Sequence, residues 1–257
     1  HHINRLIKLP CGSWKRSMGN HPRQIASVDE VFIAIALDGP SASGKSTLGE
    51  KLAKKLNFTY LDTGLMYRAV TLASLKNKID VSDEIEVSKI AENLDLDVLP
   101  PSILDGRSND VILNGEDVTC EIRQPDVEKN VSQVSAYSRV RQAMTKVQRK
   151  IGQRGSVVMV GRDIGTVVLP EAKIKIYLDA SADERARRRF LELQNRGKEV
   201  IYNEILQDMI RRDKFDSSRA IAPLRPADDA IIVDSDHMNA DEVFNYILKI
   251  LSPYSED

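Results

Sequence analysis

From residue 31 onward, short uninterrupted apolar runs alternate with stretches whose apolar residues recur every three or four positions. Residues 31–37 form a continuous apolar run, the pattern of a strand buried on both faces. Leu48, Leu52 and Leu56 follow at i, i+4 and i+8 and predict a helix over 47–56. The same reading predicts further strands at 58–61, 156–160, 173–178 and 231–233. Further helices are expected at 65–76, 83–94, 125–135, 139–153, 183–196, 203–212 and 241–251. Asp83 and Glu86 stand at capping-box spacing. Asn114-Gly115, between Val111-Ile-Leu and Glu-Asp-Val, signals a hairpin with a type I′ turn. Such alternation predicts an α/β fold, a doubly wound parallel sheet of five strands with helices on both faces. The stretch 95–120 breaks the rhythm and reads as an insertion.

Composition narrows the class. The chain has 257 residues, room for one large or two small domains, and 42% of them are apolar, enough for a packed core. The run at 31–37 is far shorter than the roughly 18 residues that span a bilayer. A net charge of −1 gives no global field for nucleic acid or an anionic membrane. All charge asymmetry lies at the start: residues 1–28 carry five Lys or Arg and no acid, leaving 32 basic and 38 acidic residues beyond. We read this segment as a disordered basic tail or an expression remnant, with a transit peptide or an RNA- or lipid-touching arm as alternatives. Two cysteines without a CxxC pair, and a single histidine (His237) beyond the tail, leave multi-histidine metal sites and Ser-His-Asp catalysis unsupported. The chemistry falls to Lys, Arg, Asp, Ser and backbone.

Gly39-Pro40-Ser41-Ala42-Ser43-Gly44-Lys45-Ser46-Thr47 matches GxxxxGK[ST], a phosphate-binding loop, between a predicted buried strand and a predicted helix. Such a loop turns successive backbone N–H groups inward onto an anion, and the helix start adds partial positive charge. Lys45 supplies a cation for the β- and γ-phosphates, and the Ser46 hydroxyl a ligand for Mg²⁺. The loop fixes nucleotide binding and leaves two reactions open: transfer of the γ-phosphoryl group to a small molecule, or hydrolysis in a regulatory NTPase. Asn77-Lys-Ile-Asp80 matches the guanine-reading NKxD string, but it follows a predicted helix and reads as a turn.

Two further clusters favour a kinase. Asp62-Thr63-Gly-Leu-Met-Tyr67-Arg68 follows the second predicted strand, and Gly161-Arg162-Asp163-Ile-Gly165 follows the strand at 156–160. Strand ends line the ligand crevice of a doubly wound sheet, where an Arg holds a phosphate bidentately. A third cluster, from Arg185 to Arg219, reads partly as a salt-bridged helix pair and partly as a closing lid.

With these clusters the sequence resembles the bacterial-type cytidylate kinases of the P-loop nucleoside monophosphate kinase superfamily. The strings that carry the resemblance are DGPSASGKST, YLDTGLMYRA, NVSQVSAYSRVR, GRDIGTVVLP, YLDASADERARRR and RRDKFDSSRAIAPLRPADDAIIVD, within residues 31–251. The resemblance implies ATP and Mg²⁺ as cofactors, CMP and dCMP as acceptors, and a cytoplasmic monomer without nucleic-acid or membrane partners. It implies one kinase domain over 29–257, with a core sheet at about 31–64, 139–182 and 220–251. A monophosphate-binding insertion would occupy about 65–138 and a lid about 183–219. Residues 39–47 would hold ATP, helped by Arg185, Arg188 and Arg189 of the lid. Ser132, Arg141 and Asp163 would read cytosine. Arg68, Arg162 and Arg219 would hold the monophosphate, Asp216 the sugar hydroxyl, and Thr63 and Tyr67 would complete the acceptor site. Lys45, Arg162 and Arg212 would be catalytic. Val160 stands where the family commonly has Asp, and Ala42-Ser43 is a mild variant of its loop.

Overall fold

Apolar runs without polar alternation need cover on both faces, and the fold provides it. In the computed structural model, which describes residues 32–252, five strands form a central sheet: β1 (Ala34–Asp38), β2 (Thr59–Asp62), β6 (Val157–Gly161), β7 (Ile174–Asp179) and β8 (Ile231–Asp234). Their order is β2-β6-β1-β7-β8, and all four pairings are parallel. Ile35 and Leu37 pack on one face with α1 (Lys45–Leu56) and α8 (Ala240–Leu251). Ala36 faces the other side, toward α2 (Gly64–Lys76), α3 (Glu84–Asn93), α4 (Pro125–Val134) and α5 (Ser138–Gly152). Fully buried side chains such as Leu37, Leu52, Met159 and Ile176 contribute about 1.5–3 kcal/mol each.

From β1 the chain runs outward to β2, returns through a long insertion to β6, then crosses to β7 on the other side of β1. The two neighbours of β1 are thus reached in opposite directions. This opens a crevice beyond the carboxyl ends of the strands, and the phosphate loop and the two Arg-bearing clusters lie at the ends of β1, β2 and β6.

The insertion carries a three-stranded antiparallel sheet of β3 (Leu96–Leu99), β4 (Asp110–Leu113) and β5 (Glu116–Asp117). Asn114 and Gly115 have φ of 50° and 81°, the two positive values a type I′ turn needs. Arg107 ties the small sheet together through Asp105, Asp110 and Asp117 at 2.8–3.1 Å. Asn109 joins it to the main sheet, its side-chain amide donating to the Tyr60 carbonyl at 2.8 Å. The remaining helices, α6 (Ala182–Asn195) and α7 (Tyr202–Ser218), pack together, with the Tyr202 hydroxyl donating to Asp183 at 2.7 Å. Among the described residues no helix is long and apolar enough to cross a membrane.

Three elements differ from the sequence reading. β3 was not expected, because four residues ahead of Pro100-Pro101 give too short an alternation. Helix α7 runs to Ser218 rather than ending at 212. A π-helical turn at Ile164–Val168 follows β6 directly, where the apolar sequence gave no period. Asn77 and Lys78 form the turn that ends α2, so the NKxD string is a helix terminus. The tail, residues 1–28, lies outside the described residues.

Candidate functional site

The site begins at the end of β1. Gly39 has φ of 152° and lies so close to the Leu178 carbonyl that a Cβ would sit 2.2 Å from its oxygen. Only glycine lets the loop leave the strand there. Ala42 and Gly44 also take positive φ, 59° and 93°, which turns the loop around a central hollow. Helix α1 starts directly at Lys45, two residues earlier than its leucine spacing indicates. The Lys45 side chain curls back over the loop, and Nζ donates to the Pro40 carbonyl at 2.6 Å. Burial, then Arg162, pushes the Lys45 amine well below its usual range. A group so disfavoured as a cation calls for an anion beside it.

This loop floors a cleft of about 1650 Å³. Residues 41–47 line it; Gly39 and Pro40 form the entry of the loop behind it. The Ser46 hydroxyl donates to Asp62 Oδ2 at 3.2 Å, bringing the ends of β1 and β2 together. Among the described residues no cluster of three or more His, Cys, Asp or Glu is placed to hold a metal. A hydroxyl beside one carboxylate is, however, a hard-oxygen pair of the kind that holds Mg²⁺ jointly with nucleotide phosphates and water.

Across the cleft stand further charged groups. Arg68 pairs with Glu128 at 2.5 Å, and burial, which raises the Glu128 carboxyl, is outweighed by Arg68, which lowers it. Arg162 Nε donates to Asp216 Oδ2 at 2.9 Å. Arg219 donates to the Asp216 and Ala222 carbonyls at 3.2 and 3.1 Å. Burial raises the Asp216 carboxyl, yet Arg162, Arg219 and Arg212 together hold it below the usual range. Arg212 is the least satisfied: its Nε is buried without a hydrogen-bond partner. Burial and then Arg162 oppose its charge. Since a guanidinium keeps its proton, the strain is relieved by an anion rather than by deprotonation.

A second corner of the cleft is narrower. Arg141 Nη2 donates to Asp163 Oδ2 at 2.6 Å, and both side chains are buried. Arg141 Nη1 donates to the Ser135 carbonyl at 2.7 Å, and its guanidinium lies 5.1 Å from the centre of the Tyr67 ring. The Tyr67 hydroxyl is buried without a partner, and burial pushes it up to about 12. Ser132 lines the same corner. Thr63 also lines the cleft, but its hydroxyl is committed to the Val160 carbonyl at 2.8 Å.

Two arginines of α6 are braced on the phosphate loop itself, Arg188 through the Ser43 carbonyl at 3.5 Å. Arg185 donates to the Ser41 carbonyl at 3.0 Å and pairs with Asp213. Arg188 reaches Ser235 at 3.2 Å and Glu184 at 2.8 Å. Arg189 stands on the rim, paired with Glu192 at 2.8 Å. Exposed His237 is on the opposite rim. All the candidate site residues line the cleft except Gly39, Pro40 and Arg185, which lie in or against the loop beneath it. Sequence reasoning missed Asp38, Asn109 and Gln148, all buried and polar. For Asp38 there was a signal: an acid directly between a buried apolar run and the first glycine of the loop.

Known proteins resemble this chain over most of its length. A family model described as cytidylate kinase matches residues 35–252. A cytidylate kinase of Herpetosiphon aurantiacus is 49% identical over 217 residues, covering 84% of this chain and 93% of that protein. One from Carboxydothermus hydrogenoformans is 48% identical over 217 residues, covering 84% and 96%. One from Bacillus velezensis is 44% identical over 223 residues, covering 87% and 98%.

Proposed function

This chain belongs to the cytidylate kinase family, and from that premise we propose how its cleft transfers the γ-phosphoryl group of ATP directly, in line, to CMP and dCMP. The enzyme is a (d)CMP kinase: ATP and the monophosphate give ADP and the diphosphate. The observation that carries the site assignment is the crowding of cations around one hollow. Beyond burial, Arg162 and Arg212 disfavour the Lys45 charge, Arg162 disfavours that of Arg212, and Arg212 Nε is left without a partner. A triphosphate facing a monophosphate supplies the missing negative charge.

The acceptor is a phosphate oxygen, already ionised near neutral pH, so no general base is required. This suits a cleft whose one histidine is an exposed rim residue. Catalysis is then positioning and electrostatics. Residues 39–47 cradle the donor phosphates, with Lys45 swinging from the Pro40 carbonyl to the β- and γ-oxygens. Arg68, Arg162 and Arg219 hold the acceptor phosphate, and Arg212 offsets charge on the moving group. Ser46 and Asp62 would hold Mg²⁺, which when bound neutralises charge shared between the β- and γ-phosphates. Asp163 accepts from the exocyclic amine of cytosine, while Arg141 and Ser132 donate to its acceptor atoms. Uracil turns a carbonyl toward Asp163 and loses about 1–3 kcal/mol. Asp216 takes the sugar hydroxyl. The insertion at about 65–138 is the acceptor module and residues 183–219 the lid; Arg185, Arg188 and Arg189 carry lid closure to the donor side and exclude water. We assign the working form as a monomer.

The test is ADP release over a panel of acceptors with the wild type and Lys45→Ala. The assignment predicts turnover with CMP and dCMP and its loss in the variant at an unchanged melting temperature. Near-normal activity of Lys45→Ala contradicts it.

A further inference from the structure

Asp163 stands at the residue before the π-helical turn, the position from which an aspartate ordinarily caps its own helix. It does not: its side chain makes no cap bond and is turned to Arg141. Of the two amides within a cap's reach, Gly165 and Thr166, the first is already occupied, and so is the Ile164 amide before it. Ile164 N–H donates to Asp38 Oδ1 at 2.8 Å and Gly165 N–H to Asp38 Oδ2 at 2.7 Å. Asp38 is the last residue of β1, only 5% exposed, so a carboxylate from another strand caps the turn in place of the residue next to it. The same residue precedes Gly39, the first glycine of the phosphate loop.

We infer that Asp38 is a positioning residue for acceptor selection: by taking the amides of Ile164 and Gly165 it leaves the Asp163 carboxylate free for Arg141 and the incoming base. This rests on the assignment of Asp163 to base reading. Without the Asp38 cap, two buried N–H groups lack acceptors, and Asp163 is the nearest residue in sequence whose side chain can reach back to one of them. A carboxylate drawn onto its own backbone no longer discriminates an amine from a carbonyl on the ligand.

The experiment compares Asp38→Asn, Asp163→Asn and the double variant in steady-state assays with CMP and UMP. Asparagine keeps the volume and one acceptor of Asp38 but turns an NH₂ group toward the other amide. The expected result for Asp38→Asn is a rise of about tenfold in KM for CMP and a fall of about fivefold or more in the CMP/UMP ratio of kcat/KM. KM for ATP should stay within about threefold, a split that plain damage to the adjoining phosphate loop would not give. The double variant should discriminate no worse than Asp163→Asn alone, since both changes disable one device. A normal CMP/UMP ratio in Asp38→Asn, an equal rise in KM for ATP, or additive losses in the double variant overturn the inference while leaving base reading by Asp163 intact. A normal ratio in Asp163→Asn removes the base-reading assignment itself and the inference with it. Should Asp38→Asn fail to fold, Asp38→Ser replaces it: one short hydroxyl cannot accept from both amides at once. A loss of CMP/UMP discrimination in that variant supports the inference, and an unchanged ratio overturns it.

Discussion

At Lys45 the cost of burying an ammonium group and the demand of the reaction meet in one side chain. Nζ rests on the Pro40 carbonyl, a neutral partner, and burial, then Arg162 and Arg212, oppose its charge more than Asp62 and Asp38 favour it. Lys45→Ala removes that strain, so the variant should melt no lower than the wild type while losing turnover, measured by calorimetry and by ADP release. Asp163→Asn should reduce the preference for CMP over UMP by about 10-fold or more, the scale of one buried hydrogen bond to a charged group. Asp38 adds a pH dependence. Burial raises its carboxyl from 3.8 to about 6, against the two backbone N–H groups that lower it. Between those values the folded chain holds a proton that the unfolded chain has lost, so this group's contribution to stability falls as pH rises through 4 to 6, by about 3 kcal/mol in all. The stability of the wild type relative to Asp38→Asn should therefore be greatest near pH 4 and decline through pH 6, read from denaturant midpoints. A difference that grows with pH contradicts the burial argument. The phosphate loop was legible because its backbone geometry demands particular residues at fixed spacing. Asp38 was not, since its partners lie about 125 residues away in sequence and only parallel pairing of β1 with β6 brings them near.

Among the elements, those with a regular apolar period were legible, the cleft-lining α2, α4, α5 and α6 included, and those that are short or turn polar midway were not. Helix α1 shows its leucines at four-residue intervals. Helix α7 shows Ile205, Met209, Arg212 and Asp216 along the cleft, a true helical stripe whose later half is charged because it serves the site. An apolar-period reading therefore ends it at 212. Helix caps show the opposite case, a purely local signal. The Asp83 side chain accepts from the Glu86 amide at 3.1 Å at the start of α3, away from the cleft. Asp83→Ala should lower stability by about 1 kcal/mol, a melting shift of about 2–4 °C, with unchanged kcat and KM. A change in KM for CMP would mean that α3 is coupled to the site. The β3 strand escaped notice because its strength comes from pairing with β4 and from Arg107, neither visible in four residues.

On the scale of the whole molecule, the strand order decides the function. The parallel sheet places the exits of β1, β2 and β6 side by side, and a phosphate loop, the Ser46 hydroxyl with the Asp62 carboxylate, and an Arg-Asp pair converge although about 125 residues separate the first from the last. Net charge of −1 hides this, because the cleft lining holds twelve Lys or Arg against nine Asp or Glu, a small local excess that acids elsewhere offset. The acceptor identity is what this convergence explains. The most direct measurement is the ratio of kcat/KM for CMP to that for UMP, with AMP and shikimate as further acceptors, at saturating ATP. The account predicts CMP and dCMP well ahead of UMP, and AMP and shikimate at background. Equal turnover of UMP and CMP, or steady ATP hydrolysis with no acceptor present, would contradict it.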